Sequence, residues 1–297
     1  MKVVFVVLHY CQINVTIDCI MSLLKLKGAY QIVIVDNASP DGSGKMLEEK
    51  YRNNGIVHVV LNSENKGFAS GNNVGYAYAK EKLGAKVIII INNDTLIKDV
   101  SFIERLLASS VLNKYHIVAP DIITLNETHQ NPFAIKALSY KECLCNIRKI
   151  QLLQLIYSIP VLGDVKAKLK FSPVSNSKES ENIQEMILPH GAAIIYTPLW
   201  VNQEQFAFYP GTFMYLEEEI LYYYILKHNY RTIYLPELKI IHLEDVSTNT
   251  RFKKKRKKAL FQIKQLKKSY RVLLSYIKEN KMYSIPLVSK EIQNSHP

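Results

Sequence analysis

The sequence predicts an α/β protein, a mostly parallel sheet flanked by helices, with a basic amphipathic helix at its C-terminal end. Three observations predict it. Residues 87–91 are Val-Ile-Ile-Ile-Ile, a run suited to a strand covered on both faces, and they lead straight into Asn92, Asn93 and Asp94. Four strand-like segments alternate with three helical ones up to that point, the pattern of βαβ units. Between Arg251 and Arg271 lie eleven Lys or Arg residues and no Asp or Glu.

The chain has 297 residues, 48% hydrophobic and 22% charged, which is enough to bury a large core and excludes a disordered protein. Its net charge of +12 belongs almost wholly to the segment from Arg251 to Arg271, leaving the body nearly neutral. Cys11, Cys19, Cys143 and Cys145 lack metal-type spacing and read as reduced thiols of a cytoplasmic protein. The longest mostly apolar window, 186–201, is broken by Pro189, His190 and Pro198 and falls short of the ~18 residues a membrane span needs. The N-terminal apolar run is too short for a secretion signal and reads as a first strand.

In order, residues 2–8 predict a buried strand. Asn14 is placed to cap a helix carrying Ile17, Ile20, Met21 and Leu24, with Gly28 as its stop. Residues 31–35 form a second strand ending at Asp36, followed by a turn-rich loop over 37–44 and a helix over 46–53. Residues 57–61 are a third strand. Residues 62–73 read as a polar, glycine-rich loop ahead of a helix that stops at Gly84. A helix from 101 to about 112 and a strand at 117–119 continue the pattern. Residues 126–182 read as an irregular insertion, of the kind that forms a substrate wall or lid. Further strands are expected at 232–235 and 239–242, after a helix ending near His228. From Phe252 onward, Leu260, Ile263, Leu266, Tyr270, Leu273 and Ile277 make a helical stripe with lysines opposite. This divides the chain into a main α/β body over 1–245 and a basic helical tail over 246–297.

Right-handed crossovers bring the carboxyl ends of strands one, two and four to one edge, so His9, Asp36 and Asp94 line one crevice, where open α/β sheets bind ligands. Mg²⁺ and Mn²⁺ take oxygen ligands, so Asp94 is a candidate bridge through a metal to a diphosphate; an Asx turn explains the triplet equally well. Asp36 suits either a ribose contact or a turn. The stretch from Asn65 through Gly67 to Asn72 suits backbone N–H groups approaching phosphate. Glu217, Glu218 and Glu219 open a helix, where acids are stabilising, and one of them is a candidate general base. His242 is either a buried core histidine or a metal ligand.

Taken in order, Val-Asp-Asn-Ala-Ser at 35–39, Asn-Lys-Gly-Phe-Ala-Ser-Gly-Asn-Asn-Val-Gly at 65–75, Asn-Asn-Asp at 92–94, His-Gly-Ala at 190–192, Phe-Met-Tyr-Leu-Glu-Glu-Glu at 213–219 and Ile-Ile-His at 240–242 resemble family 2 glycosyltransferases, rhamnosyltransferase-like members above all. The resemblance implies a Rossmann-like sheet of the GT-A type and an inverting, metal-dependent hexosyl transfer. It implies donor contacts from His9, Asp36, Asn65, Gly67, Asn72, Asn93 and Asp94, with Mg²⁺ or Mn²⁺ on Asp94 and His242. It implies Glu218 as base beside Glu217, and Gly191 and Ala192 beneath the acceptor. The family commonly has a carboxylate where Asn92 stands and Asp where Glu218 stands, which leaves a catalytically degenerate relative as the alternative. The implied partners are a UDP- or dTDP-linked sugar and a saccharide acceptor, lipid-linked in surface polysaccharide or capsule synthesis. The segment from Arg251 to Arg271 suits a peripheral contact with an anionic membrane on the inner face; alternatively its stripe packs on the body or makes a homodimer, with the lysines solvated; no nucleic acid is expected.

Overall fold

The computed structural model describes residues 1–133, 137–159, 182–244 and 255–282. Its centre is a sheet of nine strands. In sequence these are β1 (Val3–His9), β2 (Tyr30–Asp36), β3 (Val57–Leu61), β4 (Val87–Asn92), β5 (Thr95–Leu96), β6 (Ile117–Thr124), β7 (Gln184–Glu185), β8 (Ala193–Tyr196) and β9 (Thr232–His242). The spatial order is β3-β2-β1-β4-β8-β6-β9-β5, with β7 also on β9. β3, β2, β1 and β4 are parallel, whereas β8 runs antiparallel to both β4 and β6.

The 87–91 run does what its composition dictates. Val87, Ile89 and Ile91 enter the core on one face of the sheet, and Ile88 and Ile90 the core on the other. The first core is closed by α1 (Ile13–Leu23), α2 (Ser43–Tyr51) and α4 (Phe102–Ala108). The second is closed by α3 (Gly67–Ala77), α6 (Pro198–Gln203) and α7 (Glu217–Lys227). Register pairs His9 with Asp36 and Leu8 with Asn92, so the carboxyl ends of β1, β2 and β4 lie level.

Several elements differ from the sequence reading. α1 begins after Gln12, so Asn14 lies inside the helix and does not cap it. The glycine-rich stretch is not a loop: α3 starts at Gly67, and the glycines form its packing face. A Cβ on Gly75 would lie 2.3 Å from Val6 Cγ1 and 2.8 Å from Val35 Cγ2, and one on Gly71 would lie 2.7 Å from Leu8 Cδ1. The glycines therefore bring helix against sheet. The two segments expected at 232–235 and 239–242 are one strand, with a register irregularity where it passes β6.

The insertion carries α5 (Tyr140–Ser158), begun by a reciprocal cap between Ser139 and Glu142. Residues 134–136 and 160–181 of the expected acceptor wall lie outside the described residues, as do Arg251, Lys253 and Lys254 of the basic segment. α8 (Lys255–Glu279) is not a detached tail. Ile263, Tyr270, Leu273 and Ile277 are buried with Cys143, Ile150 and Tyr157 of α5 and Ile220 and Tyr223 of α7. Of the uses expected for the stripe, the structure shows packing on the body, with Lys257, Lys264, Lys268, Arg271 and Lys278 outward. Among the described residues no helix is long and apolar enough to cross a membrane.

Candidate active site

The carboxyl ends of β1, β2 and β4 open into a cleft of about 150 Å³. Tyr10, Asn37, Asn65 and Phe68 line one side, Asn92, Asn93 and Asp94 the floor, and Phe213, Met214 and Tyr215 the far wall. Lys258, Phe261 and Gln262 of α8 complete it. Tyr215 and Leu216 both have positive φ, 76° and 64°, unusual for residues with side chains, and this turn leads straight into α7 and its glutamates.

His9 does not reach the cleft. It is fully buried, with Nδ1 2.7 Å from Thr16 Oγ1 and Nε2 2.8 Å from Ser43 Oγ. The Ser43 hydroxyl donates to Asp41, so it accepts the proton on His9 Nε2; Nδ1 then accepts from Thr16, whose oxygen accepts from Asn93 Nδ2 at 3.0 Å. Burial lowers the His9 pKa, in keeping with this neutral ring. His9 thus positions Asn93 and contacts no ligand itself. Asp36 is likewise turned inward, accepting from Ser39, with Gly44 closely packed on its carboxylate. Its neighbour takes the cleft position. Asn37 donates to Asn65 Oδ1 and Gly67 O, and accepts from Lys66 N. Asn72 is 1% exposed, donates to Phe68 O and lies behind the cleft wall. Gly67 has φ +78°, and a Cβ there would sit 2.2 Å from the Phe213 carbonyl, which accepts from Phe68 N. Here glycine is required, by the close approach of two walls.

At the floor, Asp94 is 5% exposed and its Oδ1 accepts no hydrogen bond. His242 Nε2 stands 3.3 Å from it. The tautomer follows from the next shell. Gln130 Nε2 donates to Glu244 at 2.6 Å, which turns Gln130 Oε1 to His242 Nδ1 at 2.7 Å. That nitrogen therefore carries a proton, and Nε2 is the nitrogen that faces Asp94 Oδ1. A proton on Nε2 would pair with the Asp94 carboxylate, and a divalent cation would take the place of that proton between the two. Two cis ligands, each about 2.1 Å from an octahedral ion, lie about 3.0 Å apart, close to the separation here. Asp94 and His242 thus fit two positions of a divalent ion. Among the described residues no third His, Cys, Asp or Glu joins them, so the remaining ligands would be phosphate oxygens and water. His190 packs beside His242, ring centres 5.8 Å apart, and burial lowers its pKa to about 3, so it is neutral.

The three glutamates are separated by environment. Glu217 is buried and accepts from the Thr212 hydroxyl at 3.0 Å. Glu219 accepts from Leu138 N at 3.0 Å and is pushed up to about 7 by burial. Glu218 is half-buried, and its Oε1 accepts from Gly191 N at 3.1 Å. Burial raises its pKa, and that of Glu217, whose rise its charged neighbour adds to. A Cβ on Gly191 would meet Glu218 Oε1 at 2.2 Å, so the glycine is what lets the carboxylate settle on that N–H. Ala192 is a core residue whose carbonyl accepts from Asn92 N.

Residues 4–136 match the sequence profile of glycosyl transferase family 2. That stretch, a little under half of the chain, is what resembles the family. It is 26% identical over 171 residues to the dTDP-rhamnosyl transferase RfbF of Shigella flexneri, covering 58% of this chain and 51% of that one. The crystal structure of S. aureus TarS 1-349 is similar at TM-score 0.51 and 16% identity, over 82% of this chain and 60% of that one. TarS 1-349 in complex with UDP-GlcNAc is similar at TM-score 0.50 and 17% identity, over 82% and 59%. The fold is therefore that of the GT-A-like glycosyltransferases. The chain spans about half the length of the curated relative it matches. Sequence reasoning missed Asn37, Gln130 and the α8 residues; Asn37 stands next to a flagged carboxylate, while Gln130 and α8 left no local signal.

Proposed function

We propose that this chain is a family 2 member that transfers a sugar, with inversion, from a nucleoside-diphosphate donor to a hydroxyl of a saccharide acceptor. The observation that carries the proposal is the pairing of buried Asp94, on the floor of the cleft, with His242 Nε2 at 3.3 Å. A divalent cation held by this pair, Mg²⁺ or Mn²⁺, supplies positive charge to the departing diphosphate. Asn37, Asn65 and the aromatic walls orient the nucleotide. Glu218, with its pKa raised by burial, is the stronger base for it, and takes the proton of the acceptor hydroxyl as that oxygen attacks the anomeric carbon. The likeness to RfbF supports a dTDP-rhamnose donor, and the likeness to TarS with UDP-GlcNAc a UDP-linked one. A lipid-linked acceptor in surface polysaccharide synthesis, at the inner face of the cell membrane, is consistent with the basic α8.

Release of nucleoside diphosphate from dTDP- and UDP-sugars, with and without Mn²⁺, tests this. Asp94→Ala should abolish metal-dependent release, and Glu218→Gln should lower transfer by about 10²–10⁴-fold while donor binding persists. A wild-type chain that binds no donor in the presence of metal would leave the degenerate reading in its place. Full transfer by Glu218→Gln would remove Glu218 from the role.

A further inference from the structure

α5 carries a second stripe that the core does not use. Leu144, Leu152, Leu155 and Ile159 are 37%, 60%, 63% and 45% exposed, and with Arg148 they recur at steps of four, four, three and four, on the face opposite Cys143, Ile150 and Tyr157. Exposed aliphatic residues repeated along one helical face mark an interaction surface, whereas scattered ones do not. Lys141 and Lys149 flank the stripe, both exposed.

α8 lies alongside α5. Asn146 donates to the Tyr270 hydroxyl at 3.0 Å, Lys267 to Gln154 at 3.1 Å, and Arg256 to the carbonyls of Tyr157 and Ser158 at 2.8 and 3.0 Å. These ties run in opposite directions along the two helices, so the pair is antiparallel and joined over most of α5. The outward row of α8 is Lys257, Lys264, Lys268, Arg271 and Lys278, all exposed and at helical spacing. The outer surface of the packed pair thus carries an exposed aliphatic row on one member and an exposed cationic row on the other.

We propose that this face docks the protein on an anionic lipid bilayer, with the α5 aliphatic side chains entering the headgroup boundary and the α8 lysines on lipid phosphates. Charge complementarity chooses the occupant. A second copy of the chain would bring a like-charged row against the first, whereas an anionic bilayer supplies negative charge and an apolar layer together. The division of labour also accounts for the burial of the α8 stripe: α8 spends its apolar face on the body, and α5 provides the apolar part. The proposal deepens the reading of a lipid-linked acceptor, but docking is measured with no donor or acceptor present, so either can fail without the other.

The test is co-sedimentation of the full chain with vesicles of phosphatidylglycerol and phosphatidylcholine in equal parts, against vesicles of phosphatidylcholine alone. The wild type should bind the first and not the second. Leu152→Ser with Leu155→Ser should weaken binding at least tenfold, and Lys264→Glu with Lys268→Glu should weaken it further and reduce its dependence on salt. Thermal unfolding checks that each variant is folded; if the leucine pair fails to fold, Leu155→Ser alone replaces it. Equal binding to both vesicles, no binding to either, or undiminished binding of the leucine variant would overturn the proposal. So would light scattering that shows a dimeric wild type and a monomeric leucine variant in the absence of lipid, since a second copy would then own the face.

Discussion

Gln130 touches neither substrate nor the candidate metal position, yet the geometry makes it decide which nitrogen of His242 is available. Replacing it with Met keeps the volume and removes the acceptor. In the wild type, Nδ1 donates to Gln130 at 2.7 Å, which leaves Nε2, 3.3 Å from Asp94 Oδ1, as the nitrogen open to a metal when the ring is neutral. In Gln130→Met the ring proton gains nothing at Nδ1 and moves to Nε2, where the Asp94 carboxylate accepts it. Such a charge-assisted bond is worth about 1.5–3 kcal/mol. A cation must then displace that proton before it can bind. At about 1.4 kcal/mol per decade, the competition corresponds to roughly 10–100-fold weaker metal affinity, the range seen when outer-shell partners are lost. Titration of Mn²⁺ followed by its electron paramagnetic resonance, in the presence of nucleoside diphosphate, reads this directly. Gln130→Glu restores an acceptor to Nδ1 and should recover much of the affinity despite the nearby Glu244. Unchanged Mn²⁺ affinity in Gln130→Met would refute the reasoning, because it would mean that the tautomer is not set from this side.

Two further predictions concern stability. Glu219 is held near pKa 7 in the fold against 4.5 unfolded, so between these values the folded state keeps a proton that the unfolded chain has lost. Its contribution is complete below pH 4.5 and falls away as pH rises to about 7, a loss of about 3 kcal/mol from this group; denaturant melts of Glu219→Gln should lack that slope, and a parallel pH profile in the two proteins would contradict the shift. Gly75→Ala drives a methyl into Val6 and Val35 and should cost about 1–3 kcal/mol, seen as a lower urea midpoint at unchanged slope.

Much of this was legible in the chain because it depends on local pattern. The β-branched run at 87–91 names its own strand, and parallel topology puts whatever follows each strand at one edge, which is why Asp94 and the Asn37 region meet. The glycine stretch shows where local reading goes astray. Gly67, Gly71 and Gly75 recur every four residues, the period of a helix face, and that spacing points to close helix packing as strongly as glycine content points to a phosphate loop. α5 went unread because its apolar residues fall on two faces, one buried and one exposed, which erases the amphipathic signal. The contacts that complete the site are of another kind: Gln130 lies 112 residues from His242, and nothing in either neighbourhood announces the other.

The same distant contacts bear on Asn92. In the resembling family a carboxylate commonly stands at this position, and its loss looks like a weakened metal site. The charges around the cleft suggest a different balance. Among the described residues lining it, Asp94 and Lys258 are the formally charged ones, one of each sign. A diphosphate entering with a single divalent cation then meets a site that is neutral without them, and the cation and the phosphates offset each other. A second carboxylate at position 92 would add a negative charge that the cation would have to offset before it stabilised a leaving diphosphate. Asn92 instead keeps the polar floor, and its backbone carbonyl accepts from Thr95 while its N–H reaches Ala192. On this argument α8 contributes to the cleft as well as to the surface: the helix that carries the outward lysine row also places Lys258 in the lining that holds Asn92 and Asp94.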